Sequence, residues 1–356
     1  MPGARIRLAT EHDRPAWDSF VAGRPAGDLL QAWGWGECQA LAGERPVRLL
    51  AEARDGSLRG VAQALVRPAG FGRSVAYVAH GPIWERDAPD GDRLLGALLD
   101  GLREAAADAH AIVVKMDPRG LPDNDPARVG ASMAGYGLRQ AADLQAPTTR
   151  IVDLADGGEA LMASWHADAR RLSRRAEREG VEIEIDRAGE PRAIATLHEL
   201  LTVTAERAEF RVRSPEFLAR LAREFADRDG WYLAIARASG TAIAAMAMPR
   251  LGDRAYYLYG ASLRDPAYKH KYGPYAAMAS LQRTLASDGV RTLDMWGVVE
   301  PDDTQADPAW QGFSAFKRTF GGQPLRHPGT FDLVVDPLWY RIRDLRSTLR
   351  GLLPRR

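Results

Sequence analysis

Lys317 lies in GFSAFKRTFGG, where Phe313, Phe316 and Phe320 recur at helical spacing around a single ammonium group. Such a lysine either snorkels to water or has its head held in a partly dry pocket, and Gly321-Gly322 end the helix just beyond it. Asp117 stands before Pro118 at the end of the apolar run 111–116, as a carboxylate emerging from a strand or as a turn aspartate. Arg213 falls in the connection RAEFRVRS between two amphipathic helices, where an arginine can cap the helix before it. Tyr256, Tyr257 and Tyr259 crowd one strand. One set belongs to the core, and another can turn a hydroxyl toward a cleft.

Near the N-terminus, Gln31, Trp33 and Trp35 line the entry of a helix in DLLQAWGWGECQALAG, the tryptophans suiting core packing. HADARRLSRRAEREG places Arg170, Arg171, Arg174, Arg175 and Arg178 on one helix, several on a shared face. That face can follow nucleic-acid phosphates, sit near anionic lipid headgroups, or simply be solvated. Metal catalysis is not indicated, because the histidines at 12, 80, 110, 166, 198, 270 and 327 show neither ligand spacing nor cysteine partners. Neither a G-x-S-x-G elbow nor a Walker loop occurs.

These residues must be positioned by 356 residues, enough for two ordinary domains, with the 46% hydrophobic and 27% charged content of a soluble globular protein. With 48 basic and 47 acidic side chains the net charge is +1, so a nucleic-acid contact has to come from a local patch. The single cysteine, Cys38, excludes an intramolecular disulfide and fits a reducing compartment. No signal-peptide-like apolar run opens the chain and no span of about 18 apolar residues occurs, so a cytoplasmic protein is expected.

Hydrophobic periodicity predicts strands at 47–53, 60–67 and 74–79, a leucine-striped helix over 91–109 and a buried strand at 111–116. The same order returns as strands at 231–238, 242–250 and 254–261, a helix over 275–287 and a strand at 291–295. Residue identity between the halves is low, so what repeats is topology. Each half is expected to be a mixed, mostly antiparallel sheet with helices on its faces, an α+β class, with a binding cleft between the two. The segment 136–153 is expected to close the first half, and DPLWYRIRDLRSTLRGLLPRR to form a basic amphipathic helix.

The order strand–strand–strand, Gly/Pro break, helix, strand resembles the core of the N-acetyltransferase (GNAT) superfamily. In that superfamily a glycine-rich loop cradles the coenzyme A pyrophosphate through backbone N–H groups. The corresponding loop here, residues 270–275, has Pro274, which lacks an N–H, and the bulky Tyr275, so coenzyme A is not the expected ligand and no cofactor is expected. LLQAWGWGECQA, the basic helix running into REGVEIEI, TAERAEFRVRSPEF, YYLYGAS with KYGPY, LDMWG, and GFSAFKRTFGG occur in order over nearly the whole chain. In that order and spacing they resemble the Fem family (FemABX) of peptidoglycan-bridge aminoacyltransferases. No sustained heptad insertion is present, so the resemblance is to the compact form without a helical arm.

The resemblance implies two tandem GNAT-like units side by side. Residues 1–152 with 330–356 would form the acceptor side, and 153–329 the aminoacyl-tRNA side. It further implies an acyltransferase of cell-wall biogenesis and cell shape, a monomer that moves an amino acid from aminoacyl-tRNA to the stem-peptide amine of a peptidoglycan precursor. By the same resemblance Lys317 is the catalytic residue, supplying positive charge to the oxyanion of the tetrahedral intermediate. Arg213, Asp117, Tyr256, Tyr259, Gln31 and Trp35 are implied substrate contacts, and Arg170, Arg171, Arg174 and Arg175 candidate tRNA contacts. The family often has a lysine after the tryptophan motif, where this chain has Glu37, Cys38 and Gln39. That leaves open a soluble or a lipid-linked precursor, and with the latter a peripheral contact with the inner membrane face. A coenzyme A-dependent N-acyltransferase and a non-catalytic tRNA- or muropeptide-binding module are the alternatives.

Overall fold

A computed structural model describes residues 4–121, 126–208, 211–301 and 310–352, with 207–208 and 345–352 described by backbone alone. The side chains of Arg346 and Arg350, and most of the acidic loop before Lys317 (302–309), therefore lie outside the described residues. The chain divides into two units, 1–145 with 327–356, and 146–326.

The first unit opens with β1 (Arg5–Leu8), α1 (Arg14–Ala22) and α2 (Trp33–Leu41), then β2 (Arg45–Glu52), β3 (Leu58–Gly70), β4 (Arg73–Ala79) and β5 (Ile83–Trp84). It continues with α3 (Gly91–Asp108), β6 (Ala111–Asp117), α4 (Pro126–Gly135) and β7 (Arg139–Ala141). Leu94, Leu95, Leu98, Leu99 and Leu102 of α3 are all buried and pack on Val47, Leu49, Ala62, Val78 and Val114 of the sheet. Five leucines on one face supply the burial that holds this helix to its sheet.

The second unit contains β8 (Thr148–Asp153), α5 (Gly158–Ser164), α6 (Ala167–Arg178), β9 (Val181–Asp186), α7 (Pro191–Ala208) and α8 (Pro215–Ala226). Next come β10 (Leu233–Ala238), β11 (Thr241–Ala247), β12 (Arg250–Leu251), β13 (Arg254–Tyr256) and β14 (Tyr259–Ser262). Helix α9 (Gly273–Ser287), β15 (Thr292–Gly297), α10 (Gln311–Thr319) and β16 (Gln323–Arg326) complete it. The chain then returns to the first unit with β17 (Thr330–Val334) and α11 (Pro337–Leu352).

The first unit's sheet has the order β1-β2-β3-β4-β6-β17-β7, with β5 added to β3. All its pairs are antiparallel except β4 with β6. The second unit has two sheets, β14-β11-β10-β9 and β12-β13-β15-β8-β16, in which β13 and β15 are the parallel pair. Its α9 packs Ala276, Ala277, Leu281 and Leu285 against small strand residues such as Ala234, Ala236 and Ala244, which let helix and sheet approach closely.

Two expectations are corrected. The strand expected over 254–261 is broken at Tyr257–Leu258: β13 pairs with β15 and β14 with β11, so one stretch of chain serves both sheets. The unit boundaries fall at 145/146 and 326/327 instead of 152/153 and 329/330. The cause is an exchange of strands, since β8 follows β7 in sequence but pairs with β15 and β16, while β17 follows β16 but pairs with β6 and β7. Sequence order assigns β8 to the unit it has just left, whereas β17 pairs in the unit where 330–356 was expected.

The returning strand is pinned by a buried ion pair. Lys115 of β6 donates to Asp332 directly opposite on β17, and Tyr340 donates to the same carboxylate at 2.9 Å. Lys115→Met strands a buried carboxylate and is expected to lower the unfolding free energy by about 3–5 kcal/mol in urea titrations, with Lys115→Met/Asp332→Leu recovering most of it.

Candidate active site

In the second unit, Lys317 sits in the last turn of α10, which stops where Gly321 and Gly322 both adopt φ of +81°. Its side chain is 7% exposed, and Nζ donates to the carbonyl of Gly297 at 2.8 Å, where β15 ends. The rings of Tyr257 and Phe313 lie 5.4 and 5.0 Å from the ammonium. Burial depresses its pKa to about 7, only partly opposed by the Asp294 carboxylate. The lysine is in the dry setting and does not snorkel, and near neutral pH it exchanges readily between ammonium and amine.

The three phenylalanines divide the work. Phe320 is fully buried and packs edge-on against Trp165, and Phe316 packs against Phe320 and Tyr275. Phe313 is 40% exposed and shields the lysine from the solvent side, so the three rings at helical spacing do not share one buried face. Asp294, buried in β15, accepts from the Thr149 hydroxyl and from the Trp296 N–H at 2.8 Å. Tyr257 reaches Lys317 because its strand breaks there, and Gly260 makes room: a Cβ at 260 would meet the Tyr257 hydroxyl at 1.9 Å.

Beside this, the first turn of α9 and the loop before it line a hollow of about 430 Å³ with Tyr268, Lys269, Tyr272 and Tyr275. Arg175 of α6 lies over the Tyr272 ring at 5.2 Å. Pro274 occupies the first turn of α9 and supplies no N–H there.

In the first unit, Asp117 ends β6 almost completely buried. It accepts from the Tyr77 hydroxyl at 2.5 Å and from the His80 backbone N–H at 2.9 Å, and burial raises its pKa. The His80 ring faces Asp28 at 3.1 Å and stacks at a tilt on His327, centroids 4.9 Å apart. Burial disfavours charge on His80, but the Asp28 carboxylate outweighs it and raises the pKa. Asp28, which also receives Arg119, is held well below the usual carboxylate range by these two cations despite its burial. Gln145 donates to the Tyr77 hydroxyl at 3.0 Å, completing a connected, buried proton-bearing network.

Residues 163–318, inside the second unit, match the acetyltransferase (GNAT) domain family. The chain is 23% identical to the lipid II:glycine glycyltransferase of Staphylococcus aureus over 93% of its own length and 94% of that protein's. The crystal structure of FemX is similar with a TM-score of 0.82 at 20% identity, covering 95% of this chain and 99% of that one. Over nearly its whole length the chain is similar to Fem-type proteins, and the fold they share is the tandem GNAT-like one. A tandem GNAT protein from the clavulanic acid biosynthesis pathway shares the fold more distantly, with a TM-score of 0.54 and 14% identity over 94% and 99% of the two chains.

The other candidate residues take varied places. Gln31 is fully buried; its amide donates to the carbonyls of Ala79 at 2.7 Å and Gln63 at 3.2 Å and accepts from the Gln63 N–H at 2.8 Å. That engagement ties β3 to β4 and leaves Gln31 a positioning role. Trp35 and Tyr256 are core, Tyr256 edge-on to Trp296, while Tyr259 is half-buried at the start of β14. Arg213 is half-buried before α8, its guanidinium 4.6 Å from the Phe217 ring centroid. On α6, Arg170 donates to the carbonyls of Ala163 and Trp165, Arg171 pairs with Asp168 at 2.7 Å, Arg175 lies near Glu179, and Arg174 is exposed. In place of the family lysine, Glu37 pairs with Arg48 at 2.8 Å.

Local sequence alone did not single out Asp294, Tyr77, Asp28, Arg119 or the histidine pair, and Tyr257 was only one of three tyrosines on a strand. Two signals were nevertheless present: a carboxylate inside the apolar strand LDMWG, and a histidine at the Gly-Pro break of AHGP. Tyr257→Ala is expected to admit water and move the Lys317 pKa from about 7 toward the ordinary 10.5, while Tyr257→Phe leaves it near 7, as read by NMR of isotopically labelled lysine.

Proposed function

We propose that this protein transfers an amino acid from aminoacyl-tRNA to the stem-peptide amine of a peptidoglycan precursor. The observation that carries the reading is Lys317, a desolvated ammonium whose pKa near 7 lets it hold charge or pass a proton at neutral pH. The S. aureus relative, a lipid II:glycine glycyltransferase by name, supports a lipid-linked precursor as the acceptor. Such an acceptor lies at the cytoplasmic membrane face, and among the described residues no helix is long and apolar enough to cross a membrane.

In the proposed reaction the neutral acceptor amine attacks the ester carbonyl, forming the C–N bond, and the C–O bond to the tRNA ribose breaks. Lys317 offers positive charge to the intermediate's oxyanion, and the amine's proton ends on the departing ribose oxygen. The second unit takes the tRNA end, with Arg171, Arg174 and Arg175 following its phosphates and Arg170 holding α6 in place. The first unit takes the acceptor, with Asp117 toward the peptide; Arg213 meets a phosphate bidentately and Tyr259 offers a hydroxyl. Gln31, Trp35 and Tyr256 act by positioning.

The test is transfer of labelled amino acid from charged tRNA to lipid-linked precursor. Lys317→Ala is expected to lower kcat by roughly two to three orders of magnitude with the fold retained. Binding of both substrates without transfer would favour a binding module, and transfer only from acetyl-coenzyme A would sink the proposal. The folded pKa lies below the usual value, so Lys317 loses its charge as pH rises through about 7. A falling limb of kcat near that pH is expected, displaced upward in Lys317→Arg, whose guanidinium stays charged.

A further inference from the structure

The first unit also holds a cation that no group among the described residues answers. Arg86 follows β5 with its guanidinium over Trp84, 4.4 Å from the ring centroid. All three of its side-chain nitrogens are buried, and among the described residues none has a hydrogen-bond partner. The adjacent carboxylates are engaged or turned away. Glu85 accepts from Arg24 at 2.7 Å and Arg59 at 3.0 Å, Asp90 pairs with Arg59 at 2.6 Å, and Asp87 is exposed. Burial draws the Arg86 pKa down to about 10, with Asp87 opposing only through space.

Arg86 forms part of the wall of a hollow of about 290 Å³, with Pro25, Ala26, Trp84 and Leu121 as its apolar side and the Arg24-paired Glu85 and the exposed Asp87 also at its edge. A buried guanidinium with five N–H donors and no acceptor among the described residues is strongly unfavourable, which favours an acceptor supplied by a ligand. A single uncommitted fork, with apolar groups on one side and two carboxylates already at the edge, suits one singly charged carboxylate on a small apolar body better than a multiply charged phosphate. We propose that this hollow binds the carboxylate of a ligand with a small apolar side chain, such as the C-terminus of a short peptide, with Arg86 as its bidentate partner.

The hollow borders the buried network described above, since Ala26 lies two residues before Asp28 and Leu121 four after Asp117. If the transferase reading holds, the ligand is the C-terminal end of the acceptor peptide, an assignment that rests on that reading while the carboxylate site does not.

Calorimetric titration of the full-length protein with N-acetyl-dialanine of either hand tests the site without tRNA or turnover, so its failure is separable from failure of the transferase reading. Binding is expected for the carboxylate and not for the C-terminal amide. It should weaken at least about tenfold in Arg86→Met and less in Arg86→Lys, which keeps the charge but not the fork. Arg86→Met should melt at or above the wild-type temperature, because it removes an unpaired buried charge. Absence of binding at millimolar peptide, equal binding by Arg86→Met, or a marked fall in its melting temperature overturns the proposal. So does inorganic phosphate binding more tightly than the peptide with the same dependence on Arg86.

Discussion

Where two parallel strands part, backbone groups lose their ladder partners, and buried groups of this kind have to be satisfied by other means. Both units contain one parallel pair in otherwise antiparallel surroundings, β4 with β6 and β13 with β15. In the first unit the N–H of His80, just past the end of β4, is taken by the carboxylate that ends β6, Asp117. In the second, the carbonyl of Gly297 at the end of β15 is taken by the ammonium of Lys317. The candidate residues of chemistry are thus also those that close the openings in the sheets, one as acceptor and one as donor.

That double duty explains why both groups are perturbed in the same physical sense. Each is anchored to the backbone in a site from which water is largely excluded, so its charged form is disfavoured: Asp117 is raised and Lys317 lowered. The neighbours then set how far each goes. Asp117 has the charge of His80, the Tyr77 hydroxyl and the His80 N–H to oppose its desolvation, with the Asp28 carboxylate acting the other way, whereas Lys317 has aromatic faces and the more distant charge of Asp294. The outcome is a lysine whose pKa is drawn down to about 7, and a carboxylate embedded in a chain of exchangeable protons.

The exchange of β8 and β17 bears on how such sites are kept rigid. Each of these strands lies next to the strand that carries a candidate residue, β17 beside β6 and β8 beside β15. β8 brings Thr149 to the Asp294 carboxylate, and β17 brings Asp332 to Lys115. Neither contact follows from local order along the chain, because the partners are about 145 and 217 residues apart.

Periodicity and motif order by themselves determined a great deal. The leucine stripe of α3, the repeated strand–helix–strand succession, the helix of Lys317 stopped by paired glycines and the strand ending at Asp117 all rest on local hydrophobic spacing and backbone preference, and these act within a few residues. Tertiary structure alone decided which unit owns β8, that Phe313 faces out while Tyr257 faces the lysine, and that Gln31 serves the sheet backbone. It alone brought His80, Asp28 and Arg119 into one network and left Arg86 without an acceptor among the described residues. Burial and pKa depend on atoms brought together from distant parts of the chain. A lysine among phenylalanines reads the same in sequence whether its head meets water or the carbonyl of Gly297.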